Sequence, residues 1–412
     1  MDRRRLHQLE PTDDPFARIT IASIRLMRQM DSYNAILAES LKEIVLSSRR
    51  WKALKVPNHY GGSPATNWPS PDWQILLGVF ADLTQDDLPI FDTLWTHNPL
   101  TNPDQPERLT PFASLLPKLS SLRTLAIIDE PMETRIIDPP ALPWAFLTTL
   151  HLTYSPLMPT SHSNLDSLGL RIHRVAQLCP SLAVLRLAIT LSNPPIVGAE
   201  EFNIGDRAIM PIEFSRLRSL SLSLDGYGED LPCRVLYNVL QRMTTPAMEN
   251  LEINFADRFL PYPYHAETTI LPSIDLFSTT TSLLIRRSGC HITRLTIPSP
   301  LLTPEPVPLA QYLELLPDLN FLTMSHMHLP LLELLARELS LCPKLEGLKV
   351  SQMVEEPDAI IEFAAARRDT LKNLRGCFDE EGGLKVVANR NRFPLTEVVV
   401  LEPPFPLSAS SL

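Results

Sequence analysis

In Leu341-Cys342-Pro343-Lys344-Leu345-Glu346-Gly347-Leu348-Lys349-Val350, three aliphatic residues stand at the spacing L-x-x-L-x-V. The last two, one residue apart, alternate as on a short strand with one face buried. Leu345 turns the chain into that strand, and Pro343 ends whatever precedes it, because proline fixes φ and brings no N–H. The pattern returns on both sides. Upstream stand Leu319, Leu322 and Met324, then Ile292, Leu295 and Ile297, then Met248, Leu251 and Ile253, then Leu217, Leu220 and Leu222. Further back come Leu182, Leu185 and Leu187, then Leu147, Leu150 and Leu152, then Leu122, Leu125 and Ile127, with Phe91 and Leu94 and then Trp51, Leu54 and Val56 on the same template. Downstream, Leu371 and Leu374 make a degraded copy, and Leu395, Val398 and Val400 a full one. Central positions recur about 24 to 44 residues apart, the signature of a repeat array.

Between these strands lie segments with helical apolar spacing: Ile75–Phe80, Leu170–Leu178, Val235–Leu240, Leu331–Ala336 and Ile360–Ala366. One strand and one helix cannot bury an apolar face alone, so neighbouring units must stack to make a core. The expected fold is therefore α/β, with inner parallel strands and outer helices. The 40 prolines and 13 glycines fit this scheme, since most prolines stand singly or in pairs between apolar runs, where they end elements.

The chain has 412 residues, a formal charge of -10 and 44% hydrophobic residues, a globular composition. No apolar run approaches the roughly 20 residues that span a bilayer. Met1-Asp2-Arg3-Arg4-Arg5 leads into no uninterrupted apolar stretch like a secretory signal, so a cytoplasmic or nuclear location is expected, without membrane partners. An acidic chain with no Lys/Arg stripe interleaved with aromatics lacks the electrostatic footprint of a nucleic-acid binder. Five cysteines without a CxxC pair make neither a disulfide framework nor a zinc site.

The L-C-P-x-L-x-x-L-x-[L/V] units at Leu178–Leu187 and Leu341–Val350 resemble those of leucine-rich-repeat proteins, and specifically the irregular repeats of fungal F-box proteins. Ser47-Ser48-Arg49-Arg50-Trp51-Lys52-Ala53-Leu54, followed by Asp87-Leu88-Pro89-Ile90-Phe91-Asp92-Thr93-Leu94, is similar to the approach to the repeats in mushroom-type members. The resemblance implies a right-handed leucine-rich-repeat solenoid over residues 47–402, with a flexible tail at 403–412. It also implies a substrate-recognition role in a Skp-cullin-F-box ubiquitin ligase, with a protein target and a Skp-type adaptor as partners. The Leu-Pro-x-Glu start of an F-box does not precede Trp51, so residues 1–46 are either a helical cap or a divergent adaptor-docking segment. A repeat scaffold without ligase attachment is the alternative reading.

Catalytic motifs are missing: there is no G-x-S-x-G, G-x-x-x-x-G-K-[ST], H-E-x-x-H or G-x-G-x-x-G. His326-Met327-His328 has no further ligand at metal spacing, and Cys290-His291 would point to opposite faces of a strand. The acidic patches at Glu355-Glu356 and Asp379-Glu380-Glu381 read as solvated turns, and the proline-rich run 298–308 as a stiff loop. No enzyme activity, metal or cofactor is expected. What remains is the strand face turned away from the core, concave in a solenoid of this kind. Its candidate partner-binding residues are Thr124, Thr149 and His151, then Arg186, Ser219 and Ser221, then Asn250, Glu252, Arg294 and Thr296, and finally Phe321, Thr323 and Lys349.

Overall fold

The computed structural model describes residues 19–20, 52–55, 84–97, 101–102, 105–109, 118–130, 144–157, 172–191, 212–226, 231–255, 274–297, 307–324, 329–353, 357–377 and 397–401. They fall into two compact units, Met1–Ser155 with Gln177–Leu182, and Pro156–Ala176 with Ala183–Leu412.

In the first unit the strands are β1 (Ile19–Thr20), β2 (Ala53–Lys55), β3 (Thr93–His97), β4 (Thr101–Asn102), β5 (Gln105–Leu109), β6 (Thr124–Glu130) and β7, which starts at Thr149 and runs to Leu157. β1, β2, β3, β6 and β7 pair in that order, all parallel, while β4 and β5 form an antiparallel hairpin. In the second unit β8 (Val184–Leu191), β10 (Ser219–Gly226), β12 (Asn250–Phe255), β13 (Arg294–Ile297), β14 (Phe321–Met324), β15 (Gly347–Met353), β16 (Asn373–Cys377) and β17 (Glu397–Leu401) pair in chain order, again all parallel. β9 (Ile212–Glu213) and β11 (Met243–Thr244) pair separately.

The repeat is in register throughout each sheet. Leu94, Leu125 and Leu150 form one ladder. Leu185, Leu220, Leu251, Leu295, Leu322, Leu348, Leu374 and Val398 form the other. The leucines of both ladders are 2% exposed or less, so the central motif position is the core. A one-residue slip would carry every one of them to the other face, which is why the register is so strongly specified. In the degraded copy Leu374 sits in the ladder and Leu371 is buried just before it, with Gly376 taking the third apolar place opposite Val350 and Val400.

Four strands are entered through a proline-bearing tight turn in which the first motif residue donates its N–H to the carbonyl three residues earlier. The pairs are Phe91 to Leu88 (3.3 Å), Leu182 to Cys179 (3.1 Å), Leu319 to Leu316 (3.1 Å) and Leu345 to Cys342 (3.0 Å). The accepting residue is buried each time, and Pro89, Pro180, Pro317 and Pro343 follow it directly. That is the second position of a β-turn, where a fixed φ near −65° is favourable. Proline therefore does more here than end a helix: it shapes the corner. Beyond the turn, one carbonyl of each repeat accepts two N–H groups from the next. Arg218 O takes those of Glu249 and Asn250, Glu249 O those of Thr293 and Arg294, Thr293 O those of Asn320 and Phe321, and Asn320 O those of Glu346 and Gly347.

The helices are α1 (residues 172–178), α2 (Leu231–Leu240), α3 (Ile274–Ser288), α4 (Val307–Leu313), α5 (Leu329–Arg337) and α6 (Pro357–Ala366). Four of them, α1, α2, α5 and α6, cover segments expected to be helical; the expected helix at Ile75–Phe80 lies outside the described residues. Two depart from expectation. α3, with the sequence Ile-Asp-Leu-Phe-Ser-Thr-Thr-Thr-Ser-Leu-Leu-Ile-Arg-Arg-Ser, is crowded with β-branched and hydroxyl residues of low helix propensity. Burial overrides that weakness, and Thr281 satisfies its hydroxyl by donating to the carbonyl of Phe277 one turn back (2.7 Å). The end of the proline-rich run is not loop but the first turn of α4, where Pro308 costs no hydrogen bond. Pro232, Pro330 and Pro357 open α2, α5 and α6 in the same way.

Two arginines tie successive repeats together. Arg287, at the end of α3, donates through Nε to Met243 O (2.9 Å) and through Nη2 to Leu240 O (2.6 Å), covering the carbonyls at the end of α2. Arg367, just after α6 and 2% exposed, donates to Leu335 O (2.9 Å), Cys342 O (2.9 Å), Glu338 O (3.1 Å) and Leu341 O (2.6 Å). Burial lowers the pKa of both guanidiniums, yet each is placed where a helix end needs a positive donor. α3 closes on Gly289, whose φ of 59° suits the left-handed cap position.

Residues 1–46 contribute only Ile19 and Thr20 to the described structure. These two are strand, parallel to Leu54 and Lys55, within the segment expected to be a helical cap or an adaptor-docking segment. The rest of that segment and residues 403–412 lie outside the described residues, as do 193–211, 258–266 and 57–71.

Candidate interaction face

In the motif L-x-x-L-x-L, the residues on either side of the central leucine point away from the buried ladder, because side chains alternate along a strand. Register then arranges them into two rows across each sheet.

In the first unit the rows read Thr93, Thr124, Thr149 and Trp95, Ala126, His151. Thr124, Thr149 and His151 thus stand together on the face, half-buried. Ala126 shares the face but is fully buried. Its methyl is too short to reach past its neighbours, and the Trp95 and His151 rings meet edge to face over it, centroids 5.9 Å apart at 88°. Trp95 is a face residue the sequence reading passed over, because its repeat carries Thr96 where most other strands carry an apolar residue.

In the second unit the first row is Val184, Ser219, Asn250, Arg294, Phe321, Gly347 and Asn373, and the second is Arg186, Ser221, Glu252, Thr296, Thr323, Lys349 and Arg375. Every candidate residue from Arg186 to Lys349 falls on these rows. An open groove of about 580 Å³ runs along them, lined by eight of the candidates together with Asn373 and Arg375. Those last two belong to the degraded copy, whose missing third aliphatic residue hid the strand and its outward side chains.

A further row, one residue before each strand, forms a rim that the motif spacing did not single out. Arg218, Glu249, Thr293, Asn320, Glu346 and Lys372 occupy it, and four of them border a second hollow of about 470 Å³ beside the main groove. Rim charges are paired along the row, Lys372 with Glu346 at 2.6 Å and Arg218 with Glu249 at 4.0 Å. Just outside it, Asp318 accepts from Lys344 (2.5 Å) and lies 2.8 Å from His291 Nδ1. The hydrogen bond from Lys344, then that from His291, hold the Asp318 carboxyl below its ordinary range.

Phe321 owes its position to Gly347 on the neighbouring strand. A Cβ added to Gly347 would collide with the edge of the Phe321 ring, so the ring occupies space that a side chain at 347 would need, half-buried and bordering the groove. Glu252 is held by Asn254, whose Nδ2 donates to Oε1 at 2.8 Å.

Among the described residues the face gathers no acid–base constellation. Among the described residues no three His, Cys, Asp or Glu side chains gather as a metal site. Cys290 is buried, while His291 is exposed and turned to Asp318, so the two side chains diverge. Burial pushes the thiols of Cys179 and Cys342 up to about 12, leaving them protonated and inert at neutral pH. His326 and His328 lie outside the described residues. No described helix is long and apolar enough to cross a membrane.

No family model and no curated protein matches the chain. Among solved structures, the crystal structure of the yeast Rad7 and Elc1 complex is similar over 95% of each chain, at 11% identity and a TM-score of 0.38. A likeness at that level carries no inference about this chain.

Proposed function

We propose that this chain is a non-catalytic protein-interaction module, a leucine-rich-repeat solenoid whose outward strand face, concave in such an array, holds a protein partner. The observation that carries the reading is the alignment of the outward rows in the second unit. Ser219, Asn250, Arg294 and Phe321 on one row and Ser221, Glu252, Thr296, Thr323 and Lys349 on the other present hydrogen-bonding groups, charges and one aromatic side by side. A rigid sheet offers such groups without the ordering cost a flexible loop would incur.

Within that reading, the resemblance of the Leu-Cys-Pro repeats and of Ser47–Leu54 to F-box proteins favours a substrate-recognition subunit of a Skp-cullin-F-box-type ubiquitin ligase, cytoplasmic or nuclear. Such a subunit makes and breaks no bond; it raises the effective concentration of a target near the transfer machinery of its partners. The competing reading is a repeat scaffold without ligase attachment. A pull-down with a purified Skp-type adaptor separates the two, using the full chain and a version lacking residues 1–46. Binding by the full chain that is lost on truncation establishes adaptor docking through the N-terminal segment. Failure of the full chain to bind sinks the ligase reading and leaves the scaffold.

A further inference from the structure

The chain is acidic overall, with a net charge of -10, yet the groove over β13–β16 has the opposite sign. Arg294, Lys349 and Arg375 line it against one carboxylate, Glu252, which lies at its β12 end and is already engaged by Asn254. The rim balances its charges in pairs, whereas Arg294 and Lys349 make no ion pair among the described residues. Lys349 and Arg375 are register neighbours, and strands in a sheet lie about 4.8 Å apart, so positive charge is concentrated at this end of the groove. Thr296 and Thr323 continue their row, and Phe321 lies between Arg294 and Gly347 in the other.

We propose that this part of the face binds an acidic protein segment that carries one large apolar side chain next to its carboxylates. The proposal rests on the interaction reading above and specifies its partner. Arg294 and Lys349 receive the carboxylates, with Arg375 adding to the positive field, while the ring of Phe321, set against Gly347, supplies the apolar platform. The threonine hydroxyls and Asn250 and Asn373 bond to the segment's backbone. Four strands span about 14 Å, which an extended segment of about four residues crosses. A continuous phosphate backbone suits the site less well, because it calls for a longer run of cations than the three that line this groove.

The test uses the full chain, immobilised and panned against a phage-displayed library of random dodecapeptides. Enriched peptides are then made with a fluorescent label and titrated beside charge-inverted versions and a single-stranded oligonucleotide. The expected outcome is enrichment of Asp and Glu around one Leu, Phe or Trp, with binding that weakens as salt rises. Affinity should fall about tenfold or more in Lys349→Glu and in Arg294→Glu, both at side chains that reach solvent. Gly347→Ala, which changes no charge but displaces Phe321, should also weaken binding; unchanged melting temperatures exclude unfolding as the cause. Enrichment without acidic bias, affinity unmoved by both charge reversals, or an oligonucleotide bound as tightly as the peptides would overturn the proposal. Neutral or basic peptides that Phe321→Ala releases would remove only the acidic specificity and leave the interaction reading standing. Recovery of no peptide would remove both.

Discussion

Arg367 shows how much one side chain can carry in a repeat protein, since its guanidinium serves four carbonyls spread from Leu335 to Cys342. Removing it strands buried acceptors and loosens the end of α5 from the repeat that follows. Arg367→Ala is therefore expected to cost about 3 kcal/mol or more, read as a shift in chemical denaturation. Arg367→Lys should recover little, because a single ammonium cannot reproduce a planar fork with five donors; full recovery would mean that charge alone matters. Nothing in the local sequence Ala366-Arg367-Arg368 distinguishes this arginine from its exposed neighbour. Its burial is set by the partner repeat, which sequence spacing does not encode. Gly347 follows from alternation as a face position, but its importance lies across the strand gap, against the Phe321 ring, and a single-chain pattern does not reveal a contact of that kind.

At the level of elements, the strands were legible and the helices only partly so. A strand of this fold is announced by three aliphatic positions over six residues, and the register of both sheets follows from aligning them. α3 was missed because its residues favour strand or turn in isolation, and its helical state is imposed by packing against α2 and α4. The face residues follow from the strands by alternation, so most of the groove could be read in advance; Asn373 and Arg375 could not, because Gly376 interrupts their motif. The division between ladder and face predicts a sharp contrast within a single strand. Leu322→Ala should cost about 3 kcal/mol through lost burial and the cavity left behind. Thr323→Ala, one residue on, should stay within about 0.5 kcal/mol. Equal effects in thermal or urea unfolding would mean that the face packs as tightly as the core.

For the molecule as a whole, each repeat of the second unit is supported only by its neighbours, and stability should therefore be graded along the sheet. Native-state hydrogen exchange is expected to be slowest at β12, β13 and β14, which have paired strands on both sides and further repeats beyond them, and faster at β17. Uniform protection from β8 to β17 would instead indicate one all-or-none unit. Net charge, the most global property read from composition, describes the groove poorly: an average of -10 conceals three cations gathered from β13, β15 and β16. The shared carbonyls give the array a direction. At each shared carbonyl from Arg218 to Asn320 the earlier repeat accepts and the later repeat donates. A ribosome releases the accepting partner first. Each finished turn therefore leaves the exit tunnel already displaying the oxygen on which its successor will settle, so the sheet can grow at the pace of translation without waiting for residues still to be made.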